Sequence, residues 1–299
     1  MLFDALIDYC DKKYQTYGEK CGNVNCSHPS GNCTGSCYNC LYEIHYPKDK
    51  TQKMLYDCPK MLYHYVCQYS SRYASEIQYV FNLEKEYLKN FSEYKMMSIG
   101  CGGCPDLMAI EKFMIDNGYK KQIDYRGYDV NDLWIPIHRR INKYCENKQI
   151  IKKFIYEDAI QYFSKYYNIN RNIIVISYLL SYLYNTGQKK DILIFFDKLI
   201  DNVILRNKEN KLILFNDVNS CYRGRDYFIK LVDKLKKAGL HGTYREMYFD
   251  TGILNKFQKT GYAHISNNCL FVPETKLIKK YHVEGKCRSS QLIIEVTGK

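Results

Sequence analysis

The sequence lacks the features of a membrane or secreted protein. It contains no stretch of about 18 or more uncharged apolar residues, which excludes a spanning helix. Residues 1–13 include Asp4 and Asp8 and no long apolar run, so they do not resemble a signal peptide. No internal repeat and no low-complexity linker is present. We therefore expect a soluble, cytoplasmic protein with no membrane partner.

Disorder is also excluded by composition, because 46% of the 299 residues are hydrophobic and 25% are charged. This length supports one large domain, or a core with a smaller appendage. The net charge of +12 is uneven: residues 1–94 sum to −1, residues 95–170 to +3 and residues 171–299 to +10. The basic C-terminal part favours an anionic partner such as RNA. AT-rich coding DNA also favours Lys, Asn, Ile and Tyr, so scattered lysines are the alternative.

Cysteine is abundant near the N-terminus, where eight of the 14 cysteines precede residue 68. Residues 21–50 show neither helical nor strand periodicity and cannot bury much apolar surface, so an ion rather than a core is expected to hold them. In the cytosol, clustered thiols indicate metal ligands before disulfides. The predicted ligands are Cys33, Cys37, Cys40 and Cys58, with Cys21, Cys26, His28 or His45 as replacements or a second site.

The metal is expected to be Zn²⁺, since closely spaced thiolates converge on one ion as in zinc knuckles. An iron–sulfur cluster is the alternative, because Cys33-x3-Cys37-x2-Cys40 also resembles the motif of the radical S-adenosylmethionine enzymes. No strand precedes this motif, which is why zinc is preferred.

The remaining pattern predicts an α/β protein. A long helix begins at Pro59, and its Tyr65, Tyr69 and Tyr73 are expected to face the core. From residue 95 onward, short apolar strands alternate with helices, one of which is predicted to run to about Leu205. Residues 268–274 and 291–298 are expected to close the chain as antiparallel strands. The expected fold is a Rossmann-like, seven-stranded, mostly parallel sheet with helices on both faces (95–299), after a small Cys-rich helical module (1–94).

The most distinctive motif is Ser-Ile-Gly-Cys-Gly-Gly-Cys-Pro-Asp-Leu at residues 98–107, where the first strand meets a helix. Glycines at such a turn let the backbone approach a ligand, and the helix N-terminus offers free N–H groups. Pro105 fits a dinucleotide fingerprint poorly. The motif instead resembles motif I of the class I S-adenosylmethionine-dependent methyltransferases, and the resemblance extends in order over residues 94–299.

The resemblance implies a set of cofactor contacts. Asp129 matches the acid that binds the ribose hydroxyls, with Asp132 as a nearby substitute, and Asp158 matches the residue near the adenine amino group. Residues 173–181 match motif four, which borders the methyl group. The implied S-adenosylmethionine-binding residues are Gly100, Cys101, Gly102, Asp129, Val130, Asp158, Ala159 and Ser177.

Catalytic groups are expected beyond the carboxyl ends of the strands, as in other open α/β sheets. The candidates are Ser177, Tyr178, Asp217 and Asn219, with Arg223 and Arg225 for phosphate binding. His138 and His264 are interpreted as surface or hydrogen-bonded polar residues. The expected activity is methyl transfer, with RNA as the favoured acceptor. A small-molecule acceptor is the first alternative. A degenerate binding subunit is the second, since Ser98 replaces the usual acid of motif I and motif four has no amino-methylating signature.

Overall fold

The computed structural model describes residues 1–18, 36–46, 56–146, 148–166, 169–206, 208–220, 223–240 and 242–298. The strands are β1 (Tyr94–Ile99), β2 (Ile123–Tyr128), β3 (Ile150–Ile155), β4 (Ile173–Ser177), β5 (Lys211–Val218), β6 (Gly242–Tyr248), β7 (Tyr262–Ala263) and β8 (Ser289–Val296). The α-helices are α1 (Leu2–Thr16), α2 (Cys37–His45), α3 (Pro59–Leu83), α4 (Lys85–Lys89), α5 (Pro105–Asn117), α6 (Ile135–Cys145), α7 (Ala159–Lys165), α8 (Leu179–Asn185), α9 (Lys189–Leu199), α10 (Phe228–Lys237) and α11 (Thr275–Tyr281).

All eight strands form one sheet in the order β3-β2-β1-β4-β5-β8-β6-β7. Strands β1 to β5 pair in parallel, while β8 runs antiparallel between β5 and β6. From β1 the chain adds β2 and β3 on one side of the sheet, and from β4 it adds β5 on the other side. The strand order therefore reverses between β1 and β4, which creates a topological switch point at their carboxyl ends. The mostly parallel α/β fold is confirmed.

The sheet has eight strands rather than the expected seven, because the two-residue strand β7 pairs with the end of β6. The predicted strand over residues 268–274 is wrong, since only Asn268 forms a bridge there, to Lys286. The backbone amides of Leu270 and Phe271 donate instead to Ser75 Oγ on α3, at 2.7 and 3.1 Å. Amides that are bonded to a helix side chain are not available to a strand ladder.

The predicted long helix to Leu205 is also interrupted. Helices α8 and α9 are separate, with Gly187 between them at φ +79°, a backbone conformation that glycine adopts without strain. A π-helical turn, Ile200–Ile204, follows α9. Among the described residues, no helix is long and apolar enough to cross a bilayer.

Alternate residues of the buried strands enter two cores on opposite faces of the sheet. Met96 and Ile173 belong to the core beneath α1, α3, α5 and α6, whereas Met97 and Ile174 belong to the core beneath α7 to α10. Period-two burial of this kind is what a sheet covered by helices on both faces requires. The predicted boundary at residue 94 remains a prediction, but α1 and α3 share one core with β1 and α5 across it.

This shared core generates a stability prediction. Ile77 on α3 is fully buried, so Ile77→Ala should lower the free energy of unfolding by about 2–5 kcal/mol. Leu83→Ala, at an exposed position of the same helix, should cost less than about 1 kcal/mol. Urea unfolding should show one cooperative transition by fluorescence and by circular dichroism. A separate early transition that leaves the sheet unchanged would show that residues 1–94 fold independently.

Candidate active site

The glycine turn joins β1 to α5 and is tied to the end of β2. Gly100 and Gly102 have φ values of +69° and +44°. The amides of Gly100 and Cys101 both donate to the Tyr128 carbonyl oxygen, at 2.8 and 3.0 Å. A Cβ on Gly102 would meet the Trp134 ring at 3.4 Å. A side chain at Gly102 would therefore be strained by its backbone conformation and crowded by the indole.

Asp129 follows β2 and links it to this turn. One carboxylate oxygen accepts from the Gly102 amide at 2.9 Å, and the other accepts from the Asn131 amide at 3.0 Å. Burial raises the pKa of Asp129, and the two backbone hydrogen bonds oppose that rise. The carboxylate thus lies at the switch point of the sheet, held in place by two amides.

A cavity of about 580 Å³ opens above the carboxyl ends of the strands. All but one of the predicted cofactor residues line it: Gly100, Gly102, Asp129, Val130, Asp158, Ala159 and Ser177. The exception is Cys101, whose side chain is buried and does not line the cavity. Asp158 also caps α7, where its carboxylate accepts from the Gln161 amide at 3.0 Å. The turn, the end of β2 and the start of α7 therefore meet around one space.

The end of β4 brings Ser177 and Tyr178 to the same cavity. Ser177 Oγ accepts from Asn216 Nδ2 at 3.1 Å. Tyr178 has φ +56°, which is uncommon for a residue with a side chain and is enriched at functional sites. Its hydroxyl donates to the buried carboxylate of Glu76 at 2.8 Å. Burial raises the pKa of Tyr178 well above its usual value, so this phenol stays protonated at neutral pH.

The other two catalytic candidates, Asp217 and Asn219, are bound to neighbouring loops. The Asp217 carboxylate accepts from the amides of Leu180 and Ser181 at the start of α8, at 2.9 and 3.2 Å. Asn219 accepts from Arg225 at 2.9 Å and donates to the carbonyl oxygen of Gln258 at 2.9 Å. Neither is among the described residues that line the cavity. Both side chains hold loops in place around the site.

A tyrosine wall lies along one side of the cavity. We use this term for Tyr56, Tyr65, Tyr69, Tyr73, Tyr178 and Tyr182. Neighbouring rings lie 4.1 to 6.1 Å apart between centroids, and Tyr73 and Tyr178 form the shortest of these contacts. The expectation that Tyr65, Tyr69 and Tyr73 face the core overlooked this role, because Tyr65 and Tyr73 line the cavity. The four-residue spacing of these tyrosines shows that they share one face of the helix, but it does not show what that face contacts.

Two polar side chains interrupt this wall. The Arg72 guanidinium lies over the rings of Tyr69 and Tyr73, at 5.3 and 5.1 Å, and pairs with Glu284. Arg72 Nε is buried and has no hydrogen-bond partner among the described residues. His45 contacts the Tyr56 hydroxyl at 2.9 Å, and burial, followed by the charge of Arg72, lowers its pKa to about 4. Beside the wall there is thus one guanidinium, already paired with Glu284, and one neutral imidazole.

The two arginines predicted to bind phosphate are separated by the fold. Arg223 lines the cavity. Arg225 is only 6% exposed and donates to Asn219, so it supports the loop instead of facing solvent. The prediction that both arginines are available to bind phosphate is wrong for Arg225.

The N-terminal metal prediction falls partly outside the described residues, which omit Cys21, Cys26, His28 and Cys33. Cys37, Cys40 and Cys58 are buried together in one cluster between α2 and the start of α3. Within the described residues they are not among the groups of three or more ligand atoms that converge within 4.8 Å. The proposed N-terminal site therefore stays a prediction.

The fold is similar to that of a protein from Listeria monocytogenes assigned to the class I S-adenosylmethionine-dependent methyltransferases. The TM-score is 0.51 at 11% identity, and the alignment covers 99% of this chain and 88% of that one. The bifunctional kinase-methyltransferase WbdD has a TM-score of 0.40 at 14% identity, over 86% of this chain and 46% of WbdD. The CurJ carbon methyltransferase has a TM-score of 0.40 at 11% identity, and the alignment covers 98% of this chain and 71% of CurJ. No protein-family model and no curated protein matches the sequence.

The Listeria likeness shows the class I methyltransferase fold, as the ordered motifs predicted. The reversed strand β8 between β5 and β6 is the antiparallel element expected near the end of the chain. At this level of identity the comparison establishes the fold alone.

The position of Asp217 generates a pH prediction. Burial raises its pKa to about 6, against the opposing hydrogen bonds. Because this value exceeds the unfolded value of about 3.9, the associated stability is present below about pH 4 and lost as the pH rises through about 6. Asp217→Asn should therefore lower the free energy of unfolding most below about pH 4, and still more at pH 5 than at pH 8. By pH 8 the difference from wild type should shrink, by no more than about 3 kcal/mol.

Urea unfolding of both proteins at pH 5 and pH 8 measures this difference. Asp233→Asn, at an exposed position of α10, is the matched control and should differ from wild type by the same amount at both pH values. A deficit of Asp217→Asn that grows with pH would contradict the assignment.

Proposed function

We propose that the protein is an S-adenosylmethionine-dependent methyltransferase. The observation that carries the proposal is the Asp129 carboxylate, fixed by the Gly102 and Asn131 amides at the edge of the cavity. A carboxylate at the end of the second strand, beside a glycine turn, is where the methyltransferases that this sequence resembles bind the ribose. The turn also fits a cofactor, because Gly100 and Gly102 line the cavity without side chains that would fill it.

S-adenosylmethionine would supply an electrophilic methyl group on a sulfonium. The chain's contribution is to hold the acceptor in line with that methyl group, and positioning of this kind can supply much of a rate enhancement. Tyr178 suits positioning rather than proton removal, since its hydroxyl stays protonated and donates to Glu76. The Glu76 carboxylate is itself held by Asn216 and by the Arg288 and Ser289 amides.

The tyrosine wall favours a planar acceptor. Aromatic rings contribute about 0.5–1.5 kcal/mol per ring pair beyond the area they bury. Arg72, with its unsatisfied Nε beside these rings, favours an acceptor that carries an anionic or hydrogen-bond-accepting group. We therefore place a small aromatic anion ahead of RNA as acceptor.

RNA remains the second candidate, supported by the net charge of +10 over residues 171–299 and by Arg223 at the cavity. A flipped nucleobase is also planar and would stack on the same tyrosines. The two candidates differ in salt dependence, since polynucleotide binding weakens steeply with salt. A catalytically degenerate subunit would bind the cofactor and transfer nothing.

The cofactor assignment predicts a defined loss of affinity. Asp129→Ala removes a charged acceptor for the ribose hydroxyls, so S-adenosylmethionine should bind about 10- to 150-fold more weakly. Gly102→Asp should abolish binding because of strain and the Trp134 contact. Asp116→Ala, at an exposed position of α5 outside the cavity, is the matched control and should bind as wild type does. Calorimetry with S-adenosylmethionine and its demethylated product measures these constants. The proposal would be overturned if the wild-type protein bound NAD but bound neither S-adenosylmethionine nor its demethylated product.

The acceptor assignment predicts a change confined to KM. With radiolabelled cofactor, label should enter a small aromatic fraction, and transfer should be insensitive to salt. Arg72→Gln should raise KM for anionic acceptors about tenfold or more, with less effect on neutral analogues, because it removes a charge-assisted contact. Arg139→Gln, at an exposed position, is the control. Label that enters RNA and is lost as salt rises would favour the second candidate, and no label in any fraction would favour a degenerate subunit.

We also propose that the N-terminal cysteines bind Zn²⁺, or alternatively an iron–sulfur cluster, on the strength of the buried cluster of Cys37, Cys40 and Cys58. Cys37→Ser/Cys40→Ser should lose metal and expose residues near α2 to protease. Elemental analysis of anaerobically purified protein decides between zinc and iron with sulfide. Full metal content and wild-type protease resistance in the double variant would reject the site.

A further inference from the structure

A second group of metal-ligating side chains lies beneath the glycine turn. Cys101 and Cys104 come from the turn itself, and His138 comes from α6. All three are buried, and their ligand atoms lie within 4.8 Å of one another. Among the described residues, no other set of three or more His, Cys, Asp or Glu side chains converges in this way. None of the three lines the cavity, so the group is distinct from the cofactor site.

The spacing of these atoms suits a tetrahedral ion. Cys101 Sγ lies 3.9 Å from His138 Nε2. With Zn–S near 2.3 Å and Zn–N near 2.0–2.1 Å, tetrahedral geometry separates a sulfur from a nitrogen ligand by about 3.6 Å. The Cys101-x2-Cys104 spacing is also that of thiolate pairs in zinc sites. The Cys101 sulfur and the His138 nitrogen would therefore have to move only slightly closer together to bind one ion.

The His138 ring is already oriented for this role. It stacks on Phe154 with centroids 3.9 Å apart and an interplanar angle of 8°. Nδ1 lies 2.7 Å from the Tyr156 hydroxyl, while Nε2 lies toward the turn, 2.8 Å from the Gly102 carbonyl oxygen. A metal-binding histidine typically has its second ring nitrogen bonded to an outer partner in this way.

Two backbone features accommodate the sulfurs of Cys101 and Cys104: a glycine next to one of them and a left-handed conformation at the other. A Cβ on Gly127 of β2 would lie 2.8 Å from Cys101 Sγ, so a larger residue there would displace the thiol. Cys104 adopts φ +57° at the start of α5 and makes no capping hydrogen bond through its side chain. A left-handed conformation is unfavourable for a residue that carries a Cβ. A bond from the Cys104 sulfur to an ion would offset that cost.

We propose that Cys101, Cys104 and His138 bind a thiophilic divalent ion such as Zn²⁺ beneath the turn. On binding, the two thiols release their protons to solvent and each sulfur donates a lone pair to the ion. His138 binds through Nε2, and the ring proton is then on Nδ1, which donates to the Tyr156 oxygen. The fourth position is taken by water, because Asp106 is not among the side chains whose ligand atoms converge here.

A redox disulfide is the rival role for a Cys-x2-Cys pair. Cys101 is 1% exposed and Cys104 is 0% exposed, so an oxidant or a partner thiol cannot reach either sulfur in the folded chain. An ion has no such difficulty, because it binds as the chain folds. The ion would join the turn to α6 and so fix the loop whose Gly102 amide is bound by Asp129.

The test is elemental analysis of the anaerobically purified full-length chain. Wild type should contain one more equivalent of metal than Cys101→Ser/Cys104→Ser, and His138→Gln should also lose that equivalent. Cys145→Ser, a buried cysteine outside the group, is the matched control and should keep it. In the Cys37→Ser/Cys40→Ser background the equivalent should persist, which separates this ion from the N-terminal one. Unchanged metal content in a folded Cys101→Ser/Cys104→Ser protein would overturn the proposal.

A second measurement covers the case in which the double variant does not fold. Metal-free protein carrying Cys37→Ser/Cys40→Ser should take up one equivalent of Co²⁺, with the absorption of a tetrahedral ion and a sulfur-to-cobalt charge-transfer band. His138→Gln in the same background should weaken uptake at least tenfold. No Co²⁺ uptake, or a spectrum without thiolate ligation, would overturn the proposal and leave the pair as a buried dithiol.

Discussion

The Asp129 carboxylate joins the two loops on which the site depends. It accepts the Gly102 amide from the β1 turn and the Asn131 amide from the loop after β2. Asn131 in turn donates through Nδ2 to the carbonyl oxygen of Tyr56, at 2.6 Å. The chain of contacts therefore runs from the glycine turn through β2 to the first residue of the tyrosine wall. A buried carboxylate is costly unless it is hydrogen-bonded, and these two amides oppose the rise in the pKa of Asp129 that burial causes.

Helix α3 connects the acceptor side of the cavity to the rest of the fold. One face packs in the core with α1 and α5, and another presents Tyr65 and Tyr73 to the cavity. Glu76 on the same helix holds Tyr178 from β4 and contacts the start of β8. A single rigid helix thus fixes the distance between the proposed acceptor pocket and the ends of the strands. Sites supported by such elements keep their geometry better than sites built on loops alone.

The parts of the site that were predictable are those set by local sequence. Glycines after an apolar strand specify the β1 turn, and an acid that ends the next strand specifies Asp129. The tyrosine wall was missed because helical periodicity gives a shared face but not what that face contacts. Asp217 and Arg225 were misplaced because their partners, Leu180 and Asn219, are set by tertiary packing. The group of Cys101, Cys104 and His138 joins residues about 35 positions apart, so only its Cys-x2-Cys half was visible in the sequence.

The central claim is that the cavity beside Asp129 holds S-adenosylmethionine and presents its methyl group to the tyrosine wall. A crystal structure with the demethylated cofactor tests this most directly. We expect the ribose hydroxyls on the Asp129 carboxylate, the adenine near Asp158, and the sulfur directed toward Ser177 and Tyr178. A cofactor bound elsewhere, or in this cavity with its ribose turned away from Asp129, would contradict it.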